Sequence, residues 1–437
     1  MRDTLPTRAF LVLLGTVACS STGMSRSLGT AGKTGAASGS GGARSTAGSS
    51  GGAGAGNPQD SGSARGVRDG GSARGAGATH DGAAGMTSDA STTAHDIPAA
   101  CTASDEGNVA LGKDIFMPNT GKQAVVALTY TNVGATGAYA EVVSGWSKAT
   151  GCVGDSNGTL CKNTYRKPKQ VSGALAPFDE EMTLVFAGPV ELYQLAVYSP
   201  GSDQWERNAY WDRCVADGLV FAGNKSWYEC GGFVESYVTA DGSAKSDVPV
   251  QFSGAIAAGT EVHVMSSALC SGSTAGSDCG WSSGLPLHGF KGDAAGTKIF
   301  AVKLRMPIGT KTPAYWILPS QVIRSSQYGC NCRGAGSDPT YKGGCGELDV
   351  AEILGGVTTS LEATTTLYSF QDITGGGSVT FDRPVNEAAV FVVIFDAKSA
   401  QIAIRRLNAT DFDFAATLPS ETVARLLADS GALRALK

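Results

Sequence analysis

Three acids lie close together in the run Gly346-Glu347-Leu348-Asp349-Val350-Ala351-Glu352-Ile353-Leu354. In a β-strand, side chains alternate between faces, so Glu347 and Asp349 share one face while Leu348 and Val350 take the other. Glu352 falls five positions after Glu347, on the wrong face for regular alternation. One extra residue, a β-bulge, returns it to the acidic face, and bulges concentrate beside active sites. Two carboxyl groups on one surface suit displacement with retention at a sugar's anomeric carbon, one attacking and one donating a proton, with the groups about 5–5.5 Å apart. A rise of about 3.3 Å per residue separates positions four apart by roughly 13 Å at Cα, so strand bending and inclined side chains must close the gap. Asp349, between the two, repels both charges and favours a proton on a neighbour. Three acids on a solvated strand face are the plainer reading of this pattern alone.

The elements that would position these acids are short. β-branched and aromatic runs alternate with Gly, Pro, Asn and Asp clusters: 125–130, 182–186, 192–198, 297–306, 389–395 and 401–407. This texture predicts an all-β sandwich. Ser420–Lys437 alone reads as a helix, with Glu421 in its first turn and Leu426, Leu427, Leu433 and Leu436 apolar. A break at Pro200–Glu206 divides a smaller N-terminal β module, 101–203, from a larger sandwich, 204–437.

Residues 1–19 read as an export signal, an apolar run from Ala9 to Val17 ending at Thr16-Val17-Ala18-Cys19. The cysteine fits lipidation at Cys19, and cleavage near Ala18 is the alternative. The expected location is extracytoplasmic, secreted or lipid-anchored at a bacterial outer membrane. Residues 20–100 are rich in Gly, Ala, Ser and Thr without aromatics and cannot offset their ordering entropy, so a disordered linker is expected. Its reach is about 50 Å as a flexible coil.

Eleven cysteines occur, and an even ten remain once Cys19 is set aside, the pattern of disulfides in an exported chain. Near neighbours suggest Cys152–Cys161, Cys214–Cys230 and Cys270–Cys279, with Cys345 joined to Cys330 or Cys332. Zinc is disfavoured by the one-residue spacing of Cys330 and Cys332. With a net charge of −5 and 17% charged residues, no basic face for nucleic acid is expected. A membrane partner is expected only through the lipid. No cofactor is indicated, nor a structural calcium.

Pro313-Ala314-Tyr315-Trp316-Ile317-Leu318-Pro319, followed downstream by Gly346-Glu347-Leu348-Asp349, resembles glycoside hydrolase family 16. That resemblance implies a concanavalin-like jelly roll, with Glu347 as nucleophile, Asp349 as its electrostatic helper and Glu352 as acid/base. A closer resemblance, over nearly all of 101–420, is to fungal cell-wall putative endo-β-1,3-glucanases, glycine-rich and two-module. It rests on the run from Gly173 to Glu181, then Phe186, Gly188-Pro189 and Ala196-Val197-Tyr198. It continues in Cys279-Gly280, His288-Gly289-Phe290, Met306-Pro307, Gln327-Tyr328-Gly329, Cys332, Gly344-Cys345-Gly346-Glu347, Arg383-Pro384 and Phe412-Asp413-Phe414. The chain departs from these patterns at Arg333, where a tryptophan is usual, in the loop through Lys342, and in having Tyr368 but no histidine within Thr364 to Phe370.

Trp281, Tyr315, Trp316 and Tyr328 are candidates to stack on sugar rings, and core burial is an equal reading for each. His288 suits a hydrogen bond to sugar or carboxylate, although a structural role is the more ordinary one. Asp179, Glu180 and Glu181 read as decoration of a turn. The implied activity is endo-hydrolysis of β-1,3-glucan, with the polysaccharide as partner. A transglycosylase would use the same residues, and a non-catalytic, lectin-like wall-binding protein is the alternative from another class.

Overall fold

The computed structural model describes residues 122–143, 166–223, 234–282, 284–325, 344–429 and 431–436. Among the described residues the architecture is two large sheets and a separate hairpin, with two short helices. The first sheet runs in the order β1 (Gln123–Ala124), β19 (Val379–Asp382), β17 (Glu362–Tyr368), β16 (Glu347–Glu352), β15 (Ala314–Pro319), β5 (Met182–Ala187), β13 (Glu261–Ser266), β9 (Leu219–Gly223), β10 (Ser236–Val238) and β11 (Lys245–Ser246), with β18 (Ile373–Gly375) beside β17. The second runs β22 (Thr417–Pro419), β7 (Gln204–Asp212), β6 (Val190–Pro200), β14 (Lys298–Arg305), β20 (Ala389–Asp396), β21 (Gln401–Asn408), β2 (Ala127–Thr131) and β23 (Ala432–Ala435). Here β12 (Ala255–Ile256) pairs with β6 and β8 (Ala216–Asp217) with β7. The hairpin joins β3 (Gly137–Val142) to β4 (Arg166–Val171).

The all-β sandwich is therefore present, and its apolar residues fall into three layers. Between the sheets lie Leu184, Phe186, Phe300, Tyr315, Ile317, Leu348, Phe391 and Ile404 among others, with the Phe186 and Tyr315 rings stacked at 4.9 Å between centroids. Tyr315 is thus a core residue and not a sugar platform. The other two layers cover the outer face of each sheet. This explains why β20, Ala-Val-Phe-Val-Val-Ile-Phe-Asp, is apolar on both sides, whereas β17 alternates buried and half-buried residues.

Two sequence expectations change. The break at Pro200–Glu206 is the β6–β7 hairpin, closed by a hydrogen bond from Gly201 N to Gln204 O. Strands on both sides of it share both sheets: β5 sits between β15 and β13, and β6 between β7 and β14. The polar Gly-Ser-Asp tip is thus a turn, and the segments before and after it contribute strands to both sheets. The C-terminal helix, α2 (Ser420–Ala428), stops at Ala428, and residues 432–435 form β23, parallel to β2. Gly431 permits the approach, since a Cβ there would lie 2.2 Å from Ala127 O. Leu436 consequently joins the inter-sheet core, while Leu433 is exposed.

Cys270–Cys279 is closed as a disulfide and Cys214 is disulfide-bonded. Cys152, Cys161, Cys230, Cys330 and Cys332 lie outside the described residues, as do Tyr328, Arg333, Lys342, Cys19 and the segments 1–19 and 20–100.

Candidate active site

The acids lie on β16, which is central in its sheet between β15 and β17. Gly346 leads into it with φ 106°, a left-handed conformation that favours glycine; a Cβ there would also press against Pro177 and Phe178. Register then fixes the faces. Asp349 pairs with Trp316 and Glu352 with Ala314 on β15. Across β17, Glu347 pairs with Tyr368, Asp349 with Thr366 and Glu352 with Thr364. Between Asp349 and Glu352 the register slips on both sides, so the strand carries a bulge at Val350 and Ala351. Both bulge residues pack into the inter-sheet core. Glu347, Asp349 and Glu352 therefore share the outer face, and Glu352 does not point into the core.

The surroundings are uneven. Glu347 and Asp349 are buried and Glu352 is half-buried. On the β15 side, Trp316 lies in the apolar layer with Val185, Leu318, Val322, Ile323 and Tyr139. Its indole N–H is buried without a hydrogen-bond partner among the described residues. On the β17 side, Thr364, Thr366 and Tyr368 are half-buried. Thr364 donates to Glu352 O at 3.0 Å and Thr365, from the core face, to Asp349 O at 2.7 Å, fastening β17 to the bulge.

His263 and Glu261 stand on the same outer face of β13, since His263 pairs with Val185 and Val185 with Trp316. Burial pushes the His263 imidazole down to about 3, so it is neutral at physiological pH.

His288 and Trp281 belong to the loop carrying Cys270–Cys279. His288 Nδ1 meets Glu181 Oε1 at 2.6 Å, and its Nε2 lies 3.4 Å from Asp278 Oδ2. The Gly289 N–H and the Arg324 Nη1 donate to the other Glu181 oxygen at 3.1 and 3.0 Å. Gly289 is obligatory here: a Cβ would fall 1.7 Å from Ser320 Oγ, at the start of α1 (Ser320–Ser325). Burial alone would raise the Glu181 carboxyl, but the hydrogen bond from His288 and the charge of Arg324 hold it below its ordinary range. The carboxylate that His288 binds is thus Glu181, on a different element from the acids of β16. Trp281 is half-exposed on that loop. Cys270, Asp278, Cys279 and His288 bring ligand-type atoms within 4.8 Å of one another, but the two sulfurs are bonded to each other.

Glu180 and Glu181, expected only to decorate a turn, instead hold separate elements together. Glu180 accepts from Tyr139 OH at 2.9 Å and pairs with Lys169 at 2.9 Å, tying the β3–β4 hairpin to the sheet. Lys298, wholly buried, donates to the carbonyls of Phe178, Glu180 and Lys291 at 2.9–3.0 Å and holds the same turn. A charged triplet directly before a buried strand was the only available signal.

An acidic row on the outer face of a β-sandwich, bordered by an aromatic and by hydroxyl side chains, defines a candidate carbohydrate-active protein. Residues 203–426 match the C-terminal profile, and 126–200 the N-terminal profile, of the cell wall protein family YJL171C/Tos1. The chain belongs to that family. Probable circularly permuted 1,3-beta-glucanase PGA52 of Candida albicans is 27% identical over 73% of this chain and 86% of its own length. Probable circularly permuted 1,3-beta-glucanase YJL171C of Saccharomyces cerevisiae is 28% identical over 74% of this chain and 85% of its own. The TOS1 relative from S. cerevisiae, similarly named, is 31% identical over 53% of this chain and 51% of its own. No solved structure matches the chain.

Proposed function

We propose that the protein is an extracellular glycoside hydrolase that cleaves β-1,3-glucan internally and with retention. The observation that supports this most is the bulged register that gathers Glu347, Asp349 and Glu352 on one face beside Trp316. The names of the relatives point to the same substrate. In the first step the Glu347 carboxylate attacks the anomeric carbon while Glu352 gives its proton to the departing glycosidic oxygen. A covalent glycosyl ester forms and the acceptor half leaves as an alcohol. In the second step Glu352, now ionised, takes a proton from water, the hydroxyl adds to the anomeric carbon, and Glu347 is released as carboxylate. Asp349, between them, serves as an electrostatic neighbour. Trp316 packs in the apolar layer next to Asp349 and walls the acids on that side. Attachment to a lipid rests on Cys19 alone, and the fungal origin of the relatives lends no support to a bacterial outer membrane.

Purified protein incubated with laminarin, curdlan, lichenan and chitin, beside Glu347→Gln, tests the reading. Reducing ends released from laminarin, first in the β-anomer by NMR and lost in the variant, are expected. Products longer than the donor would reassign the second step to transglycosylation. No product from any glucan, with binding intact in both proteins, would leave a lectin.

A further inference from the structure

We infer that Tyr368 and Ile373 form a sugar-binding platform beside Glu347, on the side of β16 away from Trp316, taking glucosyl units of a neutral β-glucan. The inference rests on the proposed function for the identity of the sugar. Tyr368 pairs with Glu347 across β16 and β17, and Ile373 pairs with Tyr368 across β17 and β18, so all three side chains stand on one face. Neighbouring strands lie about 4.8 Å apart, and directly opposed side chains on one face are in reach of each other.

Exposure singles out this side. Opposite, the face of β15, β5, β13 and β9 is covered: Trp316, Val185, Ala222 and Met265 are buried beneath side chains of α1 and the 285–287 loop. On β17 and β18 the same face is half-open, and Ile373 is 54% exposed. An isoleucine left in water beside a tyrosine, two strands from the buried acids, has no role in the core. A pyranose presents an apolar C–H face and an edge of hydroxyls. The Tyr368 ring and Ile373 suit the first, while the Tyr368 and Thr366 hydroxyls suit the second. The charged groups around it, Glu347, Asp349 and Glu352 along β16 with Glu362 and Asp372 at the ends of β17 and β18, are all acidic, which favours a neutral polymer over an anionic one. Among the described residues β18 has no further neighbour in the sheet order, and the platform ends there.

Calorimetric titration of laminarihexaose into the Glu347→Gln protein, with Tyr368→Ala, Tyr368→Phe or Ile373→Ser added, tests it. Tyr368→Ala is expected to weaken binding about tenfold (~1.4 kcal/mol), Ile373→Ser by less, and Tyr368→Phe least. In the active chain Ile373→Ser should raise KM more than it lowers kcat. Should Tyr368→Ala not fold, the exposed Ile373 decides alone. Parent-like hexaose affinity in folded Ile373→Ser and Tyr368→Ala, or no hexaose binding to the Glu347→Gln parent, overturns the platform. Failure of the enzyme reading looks different: no glucan is cleaved, yet hexaose affinity still falls in Ile373→Ser.

Discussion

The two sheets turn different outer faces to their surroundings. The outer face of the second sheet carries Ala196, Tyr198, Ile299, Val390, Val392 and Ile394 beneath Phe412, Phe414, Leu418 and Val423 of the segment that ends in α2. The outer face of the first is also largely covered, but among its buried residues are Glu347, Asp349, Glu261 and His263. Burying carboxylates costs free energy unless hydrogen bonds or charges compensate, whereas burying valine gains it. One face is thus organised for stability, and the other keeps groups that stability alone would not select. Charge on the stabilising face has a structural task. The wholly buried Arg405 donates to the carbonyls of Leu426, Leu427 and Asp429 at the end of α2, and to that of Leu128, which satisfies C-terminal carbonyls that a helix leaves open.

This contrast can be broken from either side. Glu347→Gln should lower kcat on laminarin on the order of 10⁴-fold with little change in thermal midpoint, measured by reducing-sugar release and melting. Phe414→Ala, on the other outer face, should do the reverse: a loss of about 3–4 kcal/mol in denaturant unfolding, with kcat of the folded fraction preserved. Arg405→Ala should cost about 3 kcal/mol, because several carbonyls lose a charged donor, again without a kinetic signature. Glu181→Gln tests the boundary between the two behaviours and should cost about 2 kcal/mol at neutral pH, a partly exposed version of a broken buried pair. The folded carboxyl titrates below its usual 4.5. Its contribution is therefore fully present above that value and is lost as pH falls through the lowered one. Parent and variant stabilities should converge in acid, and a constant difference down to pH 2 would refute the assignment.

Much of this was legible in the residues. Strand texture gave the sandwich because alternation and β-branching report burial directly. The bulge was legible because only one extra residue reconciles the spacing of Glu347 and Glu352 with a shared face. Cys270–Cys279 followed from proximity in the chain. What was hidden depends on partners distant in sequence. Glu181 meets Arg324 and His288 across 143 and 107 residues of sequence, and locally it shows only as the last acid of a charged triplet. Tyr315 and Trp316 are adjacent aromatics, and strand parity alone sends one to the core and the other to the acids. The helix expected over 420–437 failed past Ala428 because leucines at helical spacing also suit an edge strand once Gly431 lets the chain approach β2.

The bulge has a further consequence for insertions and deletions. Val350 and Ala351 both face the inter-sheet core, so the strand spends two residues on one inward step. Removing either one would leave Glu352 on the side of Glu347, at the cost of one apolar side chain and a changed angle between the carboxyls. Removing Leu348 would instead put Glu347 out of phase with Asp349 and Glu352. Length variation is thus tolerable at one point of the strand and disabling two residues away, so two acid spacings can encode the same surface.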